Sequence, residues 1–324
     1  MVFLSPISLV HFEMEEKKDK EEGLFQARSY LGCLNEGLKL PTRHVLSLLK
    51  FLWPSLVAGA VSAGLWGLFF NQLSMVATAW LAAAEPVTLL LPAYTLWGLC
   101  LLALLAGSFC LGNVAVAISR YAEAGGWPAL RFGACRGEIF HASVRALVFL
   151  LVGIVVFLVV MAPVYIWAGA HSVWMVVAAA ALWLVWGVPY SMVGLDYLLG
   201  GRQRAFFQSL ARIKDGYQYW GAFFIVLFCG GLIMAVFSLV SWLPAGVLSF
   251  AGYESLTGVL AGDATDLPGA VPALIVFFFM LASFVTNMSG WLTFFPLSYL
   301  YGSVEARKKD MEKFEEEERR LQNL

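Results

Sequence analysis

Six runs of this chain, 45–70, 92–118, 146–168, 173–199, 219–243 and 271–300, are apolar on every side. Each reaches the length of about 20 residues that a helix needs to cross roughly 30 Å of hydrocarbon. None shows the strict alternation of a strand or the single stripe of a helix half in water, so the pattern predicts six transmembrane helices. A seventh apolar run, 73–91, contains Glu85-Pro86 and stops at Pro92.

Charge decides whether that seventh run crosses. With six crossings, all 21 Lys and Arg lie on one face. They sit before or at the start of the first span, between the second and third (Arg120, Arg131, Arg136, Arg145), between the fourth and fifth (Arg202, Arg204, Arg212, Lys214), and after the sixth. The opposite loops hold only Glu85, Glu254, Asp263 and Asp266. Basic residues stay on the cytoplasmic side of a membrane, so that face is cytoplasmic and both termini lie there. A seventh crossing would put the groups around Arg131 and Arg204 outside. Run 73–91 therefore reads as an interfacial or re-entrant segment, or as an apolar loop over the bundle.

The six spans group into three hairpins, each preceded by a short amphipathic stretch on the basic side. Leu24, Ala27, Leu31, Leu34 and Leu38 recur at helical spacing in the first, Phe132, Cys135 and Ile139 in the second, and Phe206, Leu210 and Ile213 in the third. Arg204, Arg212 and Lys214 flank the last, the pattern of helices lying in the headgroup layer. Pro189-Tyr190-Ser191 and Pro296-Leu297-Ser298 stand at corresponding depths in the fourth and sixth spans, in keeping with duplication. The chain thus reads as all-α: a polytopic membrane domain over 24–304, a charged disordered leader over 1–23 and a charged helical tail over 305–324. Residues 1–13 lack the basic start and the apolar core of a signal peptide, and Met14 opens a more ordinary leader, which is the expected start of translation.

Composition agrees with the pattern. Charged residues make up 13% of the chain, against about 25% in soluble domains, and mean hydropathy is +0.77. Cys33, Cys100, Cys110, Cys135 and Cys229 form no C-x-x-C pair, and His11, His44, His141 and His171 are scattered, so no metal or cofactor is expected.

Ionisable groups at mid-depth usually betray function in a bundle, because each is expensive there unless it is used. Here Lys50 and Asp196 lie near the basic ends, where Lys50 can snorkel and Asp196 can meet Arg202 or Arg204. The uncharged polar residues Asn113, Ser283, Thr286, Asn287 and Ser289 could line a cavity or bond across helices. Gly59, Ala63 and Gly67 follow the spacing of close backbone contact. Ser289-Gly290 has no intramembrane histidine to activate the serine, so no enzyme is expected. In the tail, Glu315/Arg319 and Glu316/Arg320 support a solvated helix whose apolar edge, Met311, Phe314 and Leu321, offers a protein partner a contact.

The stretches from Ser119-Arg120-Tyr121 through Phe132 and from Asp196-Tyr197 through Leu210 each lead by a glycine turn into an amphipathic helix and the next hairpin. In this the chain resembles a loose group of bacterial six-helix membrane proteins similar to the membrane domain of glycerophosphoryl diester phosphodiesterases. The resemblance implies a bacterial cytoplasmic membrane and supplies no catalytic residues. Two functions stay open: a non-enzymatic scaffold or lipid-associated protein using the bilayer and its anionic lipids, and a transporter or permease subunit for a small, weakly charged solute. Cavity or headgroup contacts are expected from Asn113, Asn287, Ser283, Asp196, Arg204 and Arg212, with Asn113 and Asn287 near any solute path, and no nucleic acid is expected.

Overall fold

The computed structural model describes residues 23–83, 90–125, 127–128, 130–168, 173–201, 204–260 and 269–322. The leader up to residue 22, Glu85-Pro86, His171 and Arg202 lie outside the described residues. All regular structure among them is helical: α1 (Tyr30–Arg43), α2 (Val45–Ala83), α3 (Leu90–Ala124), a 3-10 turn (Phe132–Cys135) running into α4 (Arg136–Ala168), α5 (Val173–Leu182), a π turn (Trp183–Gly187) running into α6 (Val188–Leu199), α7 (Phe206–Leu210), α8 (Ile213–Gln218), α9 (Trp220–Leu260) and α10 (Val271–Gln322). Six of these helical stretches are long and apolar enough to cross a membrane.

Three element boundaries differ from the sequence reading. Run 73–91 does not begin as a separate segment, because α2 continues unbroken from Val45 to Ala83. The fifth span continues past Leu243 to Leu260, with Pro244 inside it. Proline there removes only one backbone donor, at the Val240 carbonyl, which a membrane helix tolerates. The second amphipathic stretch is no separate helix: it is a single 3-10 turn at the head of α4, although Cys135 and Ile139 do face inward.

The helix before the first span is also shifted. Its N-cap is Ser29, whose hydroxyl accepts from the Gly32 amide at 3.1 Å, so Leu24 and Ala27 precede it. Its packed face is Cys33, Gly37, Leu40 and Pro41, and Leu31 of the expected stripe is exposed. Rather than lying free on the interface, α1 lies against α10. Gly37 makes that possible, since a Cβ on it would stand 2.5 Å from the Pro296 nitrogen. A second contact of the same kind joins α8 to α6, where a Cβ on Gly216 would stand 2.5 Å from the Pro189 carbonyl oxygen.

Pro189 also explains the π turn. Lacking an amide hydrogen, it cannot bond the Val185 carbonyl one turn back, and its ring presses on that carbonyl. The helix widens over Trp183–Gly187, and the Val188 amide reaches back five residues to the Trp183 carbonyl. Two carbonyls are released and both are used: Val185 accepts from the Tyr217 hydroxyl and Leu184 from the Trp220 indole, each at 2.8 Å. Two adjacent α6 features, a proline and a π turn, thereby fix where the fifth span starts.

Packing is concentrated at the basic ends. The largest fully buried side chains, among them Phe51, Ile118, Ile139, Met192, Phe223 and Phe295, all lie there. α10 is the common neighbour, running along α9, α2 and α1, whereas α4 lies mainly along α3 and meets α5 over a shorter length. Towards the other end α4 and α5 are little covered: α5 buries no residue, and only 6% of the most apolar window of the third span is buried. A face as apolar as Ile154, Val155, Leu158 and Val159 would aggregate in water and is at rest against acyl chains. A small second core of Ala245, Val271, Ile275 and Phe279, with Trp66 and Trp242 against it, holds α9, α10 and α2 together farther up.

Candidate functional site

The polar chemistry falls into two layers, one at the basic ends and one at mid-depth. The first is built around Asp196, which is fully buried in the last turns of α6. The chain leaves α6 through Gly200 and Gly201, the latter at φ 97°, a left-handed conformation that glycine adopts without strain. This reversal brings Arg204 back over the helix end. Asp196 Oδ1 then accepts from Arg204 Nη1, from Arg212 Nη1 at 3.1 Å and from the Tyr301 hydroxyl of α10 at 3.1 Å. Its second oxygen, Oδ2, is buried without a partner.

Arg212 ties this carboxylate to two others. Its Nε donates to Asp215 Oδ2 at 2.7 Å and its Nη2 to Glu305 Oε1, while Lys308 reaches Asp215 Oδ2 at 2.5 Å. Three carboxylates thus meet three cations across α6, the α7–α8 segment and the root of the tail. Burial pushes the Asp215 carboxyl up, but hydrogen bonds and charge from Lys308 and Arg212 outweigh it and hold it below the usual carboxylate range. Burial likewise opposes the Arg212 charge, and Glu305 and Asp215 overcome it, raising its pKa above the ordinary arginine value.

The sign of the Asp215 shift sets a pH window. A lowered folded-state pKa contributes stability above the ordinary value of 3.8, and that contribution is lost as pH falls through the lowered pKa. Melting curves in detergent are expected to show a constant gap between the natural protein and Asp215→Asn from pH 7 to about 5, closing only below the ordinary carboxylate range. A gap that closes near neutrality would assign the clamp to other groups.

Of the expected headgroup contacts, Asp196 and Arg212 turn inward instead. Arg212 keeps only 15% of its side chain exposed and Arg204 keeps 33%. Of the two arginines expected to meet Asp196, Arg204 does so and Arg202 lies outside the described residues, while Tyr301, Asp215, Glu305 and Lys308 join the pair unforeseen. A sequence signal existed for part of this: Arg212 and Asp215, and Glu305 and Lys308, are three residues apart on helices and so share a face.

Beside this network, α3, α4 and the end of α6 enclose a cleft of about 390 Å³. Ser119, Arg120, Glu123, Glu138, His141 and Arg145 give it polar walls, with Val116, Ala142, Leu198 and Leu199 behind them. Arg120 Nε donates to Glu138 Oε2 at 2.9 Å and Nη2 to Oε1, the paired geometry that satisfies both carboxylate oxygens, and Nη1 lies 3.3 Å from Glu123. Arg145 is 6% exposed. It donates to the carbonyls of Gly201 at 2.7 Å and Arg204 at 3.0 Å and lies 4.4 Å from the centre of the Tyr197 ring.

At mid-depth the polar side chains bond among themselves. Asn113 is fully buried and donates to Ser55 Oγ at 3.2 Å, its Oδ1 having no partner. Asn287 donates to Ser283 O at 2.9 Å, and Ser283 Oγ donates across to the Gly59 carbonyl at 3.1 Å. Ser283 and Asn287 line a groove of about 170 Å³ with Gly59, Ala63, Ala106 and Gly107, while Asn113 is not among its lining residues. The structure therefore brings two of the three expected cavity residues together and leaves the third in the packing between α2 and α3. Comparison with protein-family models, with curated proteins and with solved structures finds no match.

Proposed function

We propose that this membrane protein is a non-enzymatic, lipid-associated scaffold of a bacterial cytoplasmic membrane, with both termini and the basic loops on the cytoplasmic side. One observation carries the reading: the charged groups and the tight core share one end, while the other end leaves long apolar helix faces uncovered. Such a molecule is anchored as a unit at the headgroup layer and solvated by acyl chains above it. The mid-depth serines and asparagines fit this, because Asn287 bonds back to its own helix and the bonds that cross, Asn113 to Ser55 and Ser283 to the Gly59 carbonyl, tie neighbouring helices together at about 1 kcal/mol each.

A second reading, a permease subunit for a small solute, is favoured by the groove beside Ser283 and Asn287. Liposomes containing the full chain separate the two. The scaffold reading expects leakage of small neutral solutes at the rate of empty liposomes, with Asn287→Leu making no difference. Flux above that rate, reduced by Asn287→Leu, would replace it with the second reading. Cysteine labelling from each side tests the orientation, and an externally labelled Arg131 position (as Arg131→Cys) would overturn it.

A further inference from the structure

The cations at the basic end divide into those turned inward and those turned outward. Inward, the Asp196 network sets three carboxylates against three cations and leaves no charge over. Around the first three spans the balance is different: between Tyr30 and Ala168 the basic side carries seven Lys and Arg against three carboxylates, Glu36, Glu123 and Glu138. Those three are taken, Glu36 by Lys39 and the other two by Arg120. Arg145 is buried against carbonyls. Lys50, Arg131 and Arg136 are exposed, and among the described residues none of them forms an ion pair.

Two of these three stand within apolar spans, Lys50 in Val45–Phe70 and Arg136 in Phe132–Trp167. On α2, Leu46 lies one turn before Lys50 and Trp53 one turn after it on the same face, 72% and 57% exposed. On α4, exposed Phe140 lies one turn beyond Arg136. Lys50, with exposed apolar neighbours before and after it, has its counter-charge neither in the protein nor in hydrocarbon. Side chains lean towards the N-terminus of their helix, which for α2 and α4 is the basic end, so both cations extend naturally to the headgroup layer. Trp53, one turn deeper, stands at the level where indole rings meet the boundary of headgroups and acyl chains. Every phospholipid offers phosphate oxygens at that layer, but a zwitterionic headgroup brings its own cation. A surplus of positive charge therefore favours a headgroup of net negative charge.

We propose that the outer face of α2 and α4 binds anionic phospholipids of the adjoining leaflet, with Lys50 and Arg136 each meeting a phosphate, Arg131 adding charge, and Trp53 and Phe140 resting against the acyl chains. The inference rests on the lipid-associated reading and gives it a lipid class and a surface. The probes are phosphatidylglycerol, phosphatidylcholine with the same chains, and inorganic phosphate, titrated separately into the detergent-purified full chain and followed by native mass spectrometry. Phosphatidylglycerol is expected to bind more tightly than phosphatidylcholine. The double variant Lys50→Gln with Arg136→Gln is expected to lower phosphatidylglycerol affinity about fivefold, the effect of one cation at each position. Should that variant fail to fold, Lys50→Gln alone is expected to show a loss in the same direction. Lys39→Gln, whose cation Glu36 already matches, is expected to leave the lipid unchanged. Equal binding of the two lipids, phosphatidylglycerol binding unchanged in whichever of the first two variants folds, or an equal loss in Lys39→Gln overturns the proposal. Inorganic phosphate that binds as tightly as phosphatidylglycerol and is lost with it overturns the phospholipid as occupant. Liposome leakage is measured separately, so a failed lipid preference with leakage still at background leaves the scaffold reading standing.

Discussion

Gly37→Ala is expected to destabilise the protein by about 3 kcal/mol, the upper part of the range for overpacking a tight contact. The added methyl group would stand 2.5 Å from the Pro296 nitrogen and 2.9 Å from its Cγ. A rigid ring and a backbone cannot swing aside as the tip of a long side chain can, so α1 must move away from α10 as a whole. That displacement would open the buried seam of Cys33, Leu40 and Pro41. Alanine is the better helix former by about 1 kcal/mol, so intrinsic propensity acts in the opposite direction and loses. The adjacent glycines of α9 supply the control. A Cβ on Gly231 meets nothing within 4 Å, so Gly231→Ala is expected to be neutral or to stabilise by up to about 1 kcal/mol. On Gly230 it meets the Thr293 Cα at 3.0 Å, and that substitution is expected to fall between the two. Unfolding of the full chain in detergent, followed by tryptophan fluorescence, would rank the three; Gly37→Ala matching Gly231→Ala would show that the α1–α10 contact is loose in solution.

The six spans were legible because a bilayer imposes one condition on every residue of a crossing helix, and that condition can be read locally. Their ends were less so. Ala83 and Leu260 end helices that overrun the spans because the extra residues are themselves apolar, and Pro244 interrupts a membrane helix less than its sequence neighbours suggest. The pairing of Asp196 with a nearby arginine followed from spacing alone, through the Gly200-Gly201 reversal. Which arginines face inward did not follow, since Arg204, Arg212 and Lys214 look alike as a basic cluster. Only the arrival of Tyr301 and Glu305 from α10 decides that Arg212 is enclosed. The cleft is of the same kind: Ser119, His141 and Arg145 belong to two consecutive spans, but Leu198 and Gly201 close it from a third. Long-range closure of this sort leaves no periodicity to read. The fit of Gly37 on Pro296 is a further case, because a glycine in an amphipathic helix looks like a weak point until its neighbour is known.

Asp196→Ala is expected to cost about 3 to 5 kcal/mol, the range for breaking a buried ion pair from one side. The carboxylate holds two guanidiniums and one hydroxyl through a single oxygen, so its removal strands three donors at once. They are not equally able to recover. Arg204, with a third of its side chain exposed, can turn to water, whereas Arg212 at 15% and the buried Tyr301 hydroxyl cannot do so without opening the seam between α6 and α10. Arg204→Gln should accordingly cost about 1 kcal/mol, the scale of a partly exposed pair. Asp196→Asn tests charge separately from shape. It keeps an acceptor for Tyr301 and fills the position of the unpartnered Oδ2 with an amide, yet it loses the charge opposite Arg212. A cost for Asp196→Asn near that of Asp196→Ala would make charge the dominant contribution; a cost near zero would reduce the site to hydrogen bonding. Because Arg212 also holds Glu305 and Asp215, the loss should travel along the network. Spin labels placed in the tail are expected to gain mobility in Asp196→Ala relative to the natural protein, although residue 196 lies on α6 and the labels on α10. Unchanged tail mobility alongside a large stability loss would confine the effect to the α6–α7 turn and show that Arg212 holds the tail root through Asp215 and Glu305 alone.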